Sequence, residues 1–155
     1  MTPLACAALT VWCAALTVFD LRERRLPNEL TGSGVLTVLG YALITEQFAI
    51  ALLGALLLSA PYLLVHLLAP AALGAGDVKL AVTLGAAAAL GGPRTWVWAA
   101  LGAPALTACL AVGALACRAA SGAAVRGATA LTVPHGPAMC TATLLALLSA
   151  ALGST

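Results

Sequence analysis

Charge is what this chain most lacks. Only 8% of its 155 residues are charged, while 63% are hydrophobic. A soluble domain typically carries about 25% charged residues. So few charges could not cover a water-facing surface, and lipid is the solvent that makes the composition sensible. Acidic side chains number five, and the net charge is +2. That balance is too small to suggest a nucleic-acid partner. Aromatic residues make up only 5%. Cys6, Cys13, Cys109, Cys117 and Cys140 all sit in apolar runs and form no CxxC pair. The close thiolate pairing of a zinc ribbon or knuckle is therefore missing. Their odd number prevents complete pairing within the chain, and they read as small apolar packing residues. The first apolar stretch has no basic segment before it, unlike an ordinary secretory signal, so it is expected to stay attached as a helix.

What is present is a series of apolar runs near membrane-spanning length, about 17–25 residues for a helix. The first runs from Pro3 to Phe19 and meets the charged segment Asp20 to Arg25. A second is predicted from near Pro27 to Thr45, with Pro27 suited to a helix first turn. Glu46-Gln47 marks a short turn. The third spans about Phe48 to Ala69, with Pro61 inside. A fourth begins near Gly74 and ends near Leu90, which puts Asp77 in its first turn or two. Gly91-Gly92-Pro93-Arg94 reads as a loop. The fifth covers Trp96 to Cys117, with Pro104 inside, and the sixth about Pro137 to Leu152. Between them, Arg118 to Val133 is looser and rich in small residues, either a loop or a partly inserted piece. The excess of Ala and Gly suits close helix packing in lipid. The expected fold is all-α: a polytopic membrane protein of about six transmembrane helices, with residues 1–155 as one membrane domain.

Orientation follows from the bias of Lys and Arg toward cytoplasmic loops. With both termini extracytoplasmic, Arg22, Arg24, Arg25, Lys79, Arg118 and Arg126 face the cytoplasm, and only Arg94 lies outside. The opposite orientation reverses that distribution.

Among the acidic residues, Glu23, Glu29 and Glu46 fall in or beside loops and read as solvated charges. Asp20 and Asp77 differ, because each lies where an apolar helix meets the cytoplasmic boundary. Helix parity puts the end of the first helix and the start of the fourth on one side at similar depth. Gly74-Ala75-Gly76 precedes Asp77, and glycine permits positive φ and close backbone approach. The bland alternative is a helix start whose dipole favours Asp77. Two carboxyls held close share a proton. The ionised one can deprotonate a water and the protonated one can donate to a peptide carbonyl. His66 lies inside the third helix and reads as a packing or interhelical hydrogen-bonding residue. His135 is expected in a loop. Neither belongs to a recognisable nucleophilic arrangement, and metal-binding spacings such as HExxH are missing.

The segment Phe19 to Asn28, FDLRERRLPN, resembles the region around the first catalytic aspartate of bacterial type IV prepilin peptidases. Gly74-Ala75-Gly76-Asp77-Val78-Lys79-Leu80 is similar to their GxGDxK segment. Val133-Pro134-His135-Gly136-Pro137 resembles their late Pro-x-Gly-Pro motif, in which an aromatic is more usual than His135. The order, spacing and helix parity agree as well. The resemblance implies a GxGD-type aspartic intramembrane protease with Asp20 and Asp77 as the catalytic pair. Gly74, Gly76 and Lys79 would be supporting residues. Lys79 also has the simpler role of snorkelling to the interface, and two helical positions apart it need not touch Asp77. No cofactor and no metal are implied. The expected substrate is a prepilin or pseudopilin whose short basic leader is cut at the cytoplasmic face of the inner membrane. Without an N-terminal cysteine-bearing domain, the chain is similar to the short, protease-only members, such as those serving tight-adherence pili. Methyltransferase activity is then not expected. The competing classes are a catalytically inactive homologue and a small proton-coupled transporter or assembly subunit. A transporter would place acidic groups near mid-membrane along a path.

Overall fold

The structure is a computed structural model that describes residues 1–23, 27–70, 73–120 and 135–153, with residues 118–120 described by backbone alone. Every element in these residues is a helix: α1 Pro3–Glu23, α2 Asn28–Ile44, α3 Phe48–Leu68, α4 Ala75–Leu90, α5 Pro93–Ala120 and α6 His135–Leu152. The number and order match the sequence expectation, but several boundaries move. α1 continues past Phe19 to Glu23, so Asp20, expected to end the helix, lies within its last turn. α5 begins at Pro93, not Trp96, because a proline costs nothing in a first turn, where its N–H would be unpaired anyway. The expected four-residue loop there shrinks to Gly91-Gly92. His135 was expected in a loop and is instead the first residue of α6. Of the looser segment expected from Arg118 to Val133, 118–120 continue α5, and 121–133 lie outside the described residues.

By length and composition, α1, α3, α5 and α6 can each cross a membrane. α2 and α4 have 17 and 16 residues. At about 1.5 Å per residue they reach roughly 24–26 Å, short of a hydrocarbon core about 30 Å thick. α4 tolerates this because other helices enclose it, packing against α2, α3, α5 and α6. Nine of its residues, including Leu80, Thr83, Leu84, Gly85 and Ala86, are buried. α4 carries no charge after Lys79, and its side chains there are small or aliphatic, which suits a central position.

Small residues decide the tightest contact. A Cβ on Gly85 would lie 2.6 Å from the Gly54 carbonyl oxygen and 2.8 Å from the Leu58 Cβ. One on Gly54 would strike the Ala89 side chain and the Gly85 carbonyl. α3 and α4 therefore meet backbone to backbone, as small residues allow in lipid. Trp96 Nε1 donates to the Gly54 carbonyl at 3.1 Å and fastens α5 to the same place. On the other flank, the Trp12 ring of α1 lies over Gly34 of α2, and its Nε1 donates to the Leu30 carbonyl at 2.9 Å. Large aliphatic side chains point outward: Leu4 is 82% exposed and Leu68 77%. An apolar exterior around a core of alanine, glycine and leucine is the packing expected where lipid replaces water.

α2 ends in a Schellman motif. Gln47 N–H donates to the Ala42 carbonyl at 2.8 Å and Glu46 N–H to the Leu43 carbonyl at 3.2 Å. Glu46, at the position where glycine is usual, adopts φ of 58°. The short turn expected at Glu46-Gln47 is this cap.

Candidate active site

All six helices contribute to one end of the bundle. Asp20 comes from the last turn of α1 and Asp77 from the first turn of α4. The start of α6 lies against Asp20 and close to Leu80 of α4. A Cβ built on Gly136 would be 2.7 Å from Asp20 Oδ2 and 3.7 Å from Leu80 Cδ2, three residues beyond Asp77. Gly136 is thus required by proximity: any side chain there would occupy the space of the Asp20 carboxylate. The unpaired N–H groups of a helix N-terminus carry partial positive charge, and the first turn of α6 brings them beside this carboxylate. Among the described residues Asp20 Oδ2 is buried without a hydrogen-bond partner that meets strict geometry, and the Gly136 backbone N–H is the group that faces the carboxyl. Asp77 and Asp20 lie within electrostatic reach of each other.

The expected supporting residues divide in their behaviour. Gly74 is the N-cap of α4 with φ −73° and ψ 150°. Gly76 is an ordinary residue of that helix. Neither uses the left-handed conformations that glycine makes available, so that part of the expectation is corrected. A Cβ on Gly74 would meet Asp77 Oδ2 at 3.8 Å, an ordinary contact, so the packing here does not demand glycine. Its carbonyl accepts the Asp77 N–H at 3.1 Å and closes the first turn under the carboxylate. Lys79 is exposed. Its ammonium donates to Asn28 Oδ1 at 2.6 Å, which ties the start of α4 to the start of α2 instead of reaching for Asp77.

Three polar residues at this end carried no assigned role in the sequence. Tyr62 of α3 lies within electrostatic reach of Asp77, and its hydroxyl is 2.9 Å from His135 Nε2. Thr107 of α5 is 2.6 Å from His135 Nδ1. The motif-like segment around His135 pointed to the neighbourhood, but nothing in the spacing of Tyr62 or Thr107 singles them out. His66 was expected to pack or to bond between helices, and its hydrogen bond goes instead to the connection between α3 and α4. Its Nδ1 is 2.8 Å from the Leu73 carbonyl oxygen, bracing the approach to Gly74. Among the described residues, no group of three or more His, Cys, Asp or Glu side chains is placed to hold a metal ion.

The fold and this end of the bundle define a class: a helical membrane protein with two carboxyl side chains from separate helices at one end of the bundle, within electrostatic reach of each other, one of them beside a helix N-terminus. A sequence profile of the type IV leader peptidase family matches residues 7–154, which covers nearly the whole chain. The chain belongs to the type IV leader peptidase family, and membership implies peptidase activity in general toward leader-bearing, prepilin-type substrates. No curated protein and no solved structure gives a significant match.

Proposed function

We propose that this protein is an aspartic endopeptidase that removes the basic leader of a type IV prepilin or pseudopilin, with Asp20 and Asp77 as the catalytic pair. The observation that carries the reading is the meeting of α1, α4 and α6 at Asp20, Gly136 and Leu80, with Asp77 within electrostatic reach of Asp20. Family membership supports the substrate class.

In the proposed reaction the ionised carboxylate takes a proton from water while the resulting oxygen attacks the scissile carbonyl carbon. The protonated carboxyl donates to the carbonyl oxygen. A tetrahedral diol results. It collapses by breaking the C–N bond: one diol hydroxyl returns its proton to the second carboxylate as the new carboxyl C=O forms, and the departing amine receives a proton from the first carboxyl. The two groups end with one shared proton, as they began. Because a helical peptide bond is shielded by its own hydrogen bonds, the substrate must present an unwound stretch.

The site lies in the cytoplasmic (inner) membrane at its cytoplasmic face, with both termini of the chain on the opposite side and residues 1–155 acting as one membrane domain. The test is cleavage of a purified prepilin in detergent, with the cut located by mass spectrometry. Asp20→Asn and Asp77→Asn should each lower turnover by about 10²–10⁴-fold or more while the protein still purifies from the membrane. Wild-type turnover in either variant would refute the pair.

A further inference from the structure

One side chain holds the first turn of α6 from two sides. His135 Nε2 lies 2.9 Å from Tyr62 Oη of α3, and its Nδ1 lies 2.6 Å from Thr107 Oγ1 of α5. The rings of Tyr62 and His135 are 5.5 Å apart at 37°. Each hydroxyl can donate or accept, and a neutral imidazole offers one donor and one acceptor. Either tautomer therefore satisfies both contacts, and the tie does not depend on where the ring proton sits.

What the tie spans follows from the packing. Asp20 belongs to α1, which packs chiefly on α6. Asp77 belongs to α4, whose most extensive contact is with α3. The placement of one carboxyl relative to the other is thus relayed through α6 and α3. These two helices are not among each other's main packing partners, yet Tyr62 and His135 join them directly. Gly136 follows His135, and a Cβ there would stand 2.7 Å from Asp20 Oδ2 and 3.7 Å from Leu80 Cδ2. A slide of α6 by about an ångström would press on the carboxylate or leave it unsupported. The apolar contact at Leu80 has no preferred direction. A hydrogen bond weakens steeply when its angle or length departs from the optimum, so the bonds at His135 resist such a slide.

We propose that His135 is a positioning residue: by bonding Tyr62 it fixes the start of α6 against α3, and so sets the spacing between Asp20 and Asp77. Its catalytic meaning rests on the dyad reading, while the tie is independent of it.

The test reads distance and rate on the full-length protein. Arg22→Cys and Leu68→Cys, in a background lacking the native cysteines, carry spin labels at the C-terminal ends of α1 and α3, where both residues are exposed. Leu4→Cys and Ile50→Cys, also at exposed positions, read the opposite ends of the same helices. Tyr62→Phe removes only the hydroxyl. It should shift or broaden the distance between positions 22 and 68 by about an ångström or more, and leave that between 4 and 50 unchanged. In the unlabelled protein it should lower kcat about 10–10²-fold, the scale of such a displacement, with KM little altered. His135→Leu should do the same, and combining it with Tyr62→Phe should lose no more than either alone. His135→Gln, whose amide can donate and accept, should stay closer to wild type. An unchanged distance between 22 and 68 in Tyr62→Phe, or an equal change at both ends, would overturn the proposal. So would a double variant whose losses multiply. Tyr62→Phe decides the matter should His135→Leu fail to fold. Wild-type turnover in Asp77→Asn, with the distance still shifted by Tyr62→Phe, would instead reject the dyad and leave the tie standing.

Discussion

A methyl group at Gly136 would lie 2.7 Å from Asp20 Oδ2, closer than carbon and oxygen tolerate without something shifting. Both neighbours are held by the fold, Gly136 by the first turn of α6 and Asp20 by the last turn of α1. Gly136→Ala is therefore expected to destabilise the protein by about 1–3 kcal/mol. It should also cut turnover by about 10²-fold, through displacement of a reacting group by an ångström or so. Thermal melting and cleavage rates measured on the same preparation check both halves. Lys79 presents the opposite case. Its bond to Asn28 is exposed, and exposed polar contacts contribute about 1 kcal/mol or less. Lys79→Met and Asn28→Ala should lower the melting temperature slightly and by similar amounts. A large loss of turnover in Lys79→Met alone would mean that the ammonium serves the reaction rather than the α2–α4 contact.

Two helices depend on features smaller than a side chain. The α3–α4 seam closes because Gly54 and Gly85 have no Cβ. A branched residue at Gly85 would push against the Gly54 carbonyl, which cannot move without its helix. Gly85→Val should destabilise by about 1–3 kcal/mol or more. Because α4 carries Asp77, activity should fall even at temperatures where the protein remains folded, as measured by cleavage below the melting transition. The cap of α2 predicts the reverse sign. Glu46 occupies a left-handed conformation that costs a residue with a Cβ roughly 1–2 kcal/mol. Glu46→Gly removes that cost while adding some unfolded-state entropy. A net gain of up to about 1 kcal/mol is expected, read as a raised melting temperature with unchanged turnover.

At the scale of the whole molecule, the proposed orientation assigns Arg94 to the outside and Arg22 to the inside. A cysteine at position 94, in a background lacking the native cysteines, should react with a membrane-impermeant maleimide in intact cells. A cysteine at position 22 should react only after the membrane is opened. The reverse pattern would invert the molecule and remove Asp20 and Asp77 from the cytoplasmic face.

The sequence alone pointed to an all-α membrane protein of six helices, because so few charges make lipid the solvent and apolar runs near helix-spanning length let the backbone close its hydrogen bonds within each helix. It also singled out Asp20 and Asp77, since alternating helix direction places the two at one end and each lies in a motif-like segment, whereas a lone carboxyl at the end of an apolar run costs too little to stand out. Tertiary structure decided the rest: that α4, one of the shortest helices, is enclosed by its neighbours, that Gly136 must be bare, and that His135 joins Tyr62 to Thr107. Those pairings span 28 and 73 residues. No local periodicity encodes them, because they arise only when side chains from three helices are packed into the same volume.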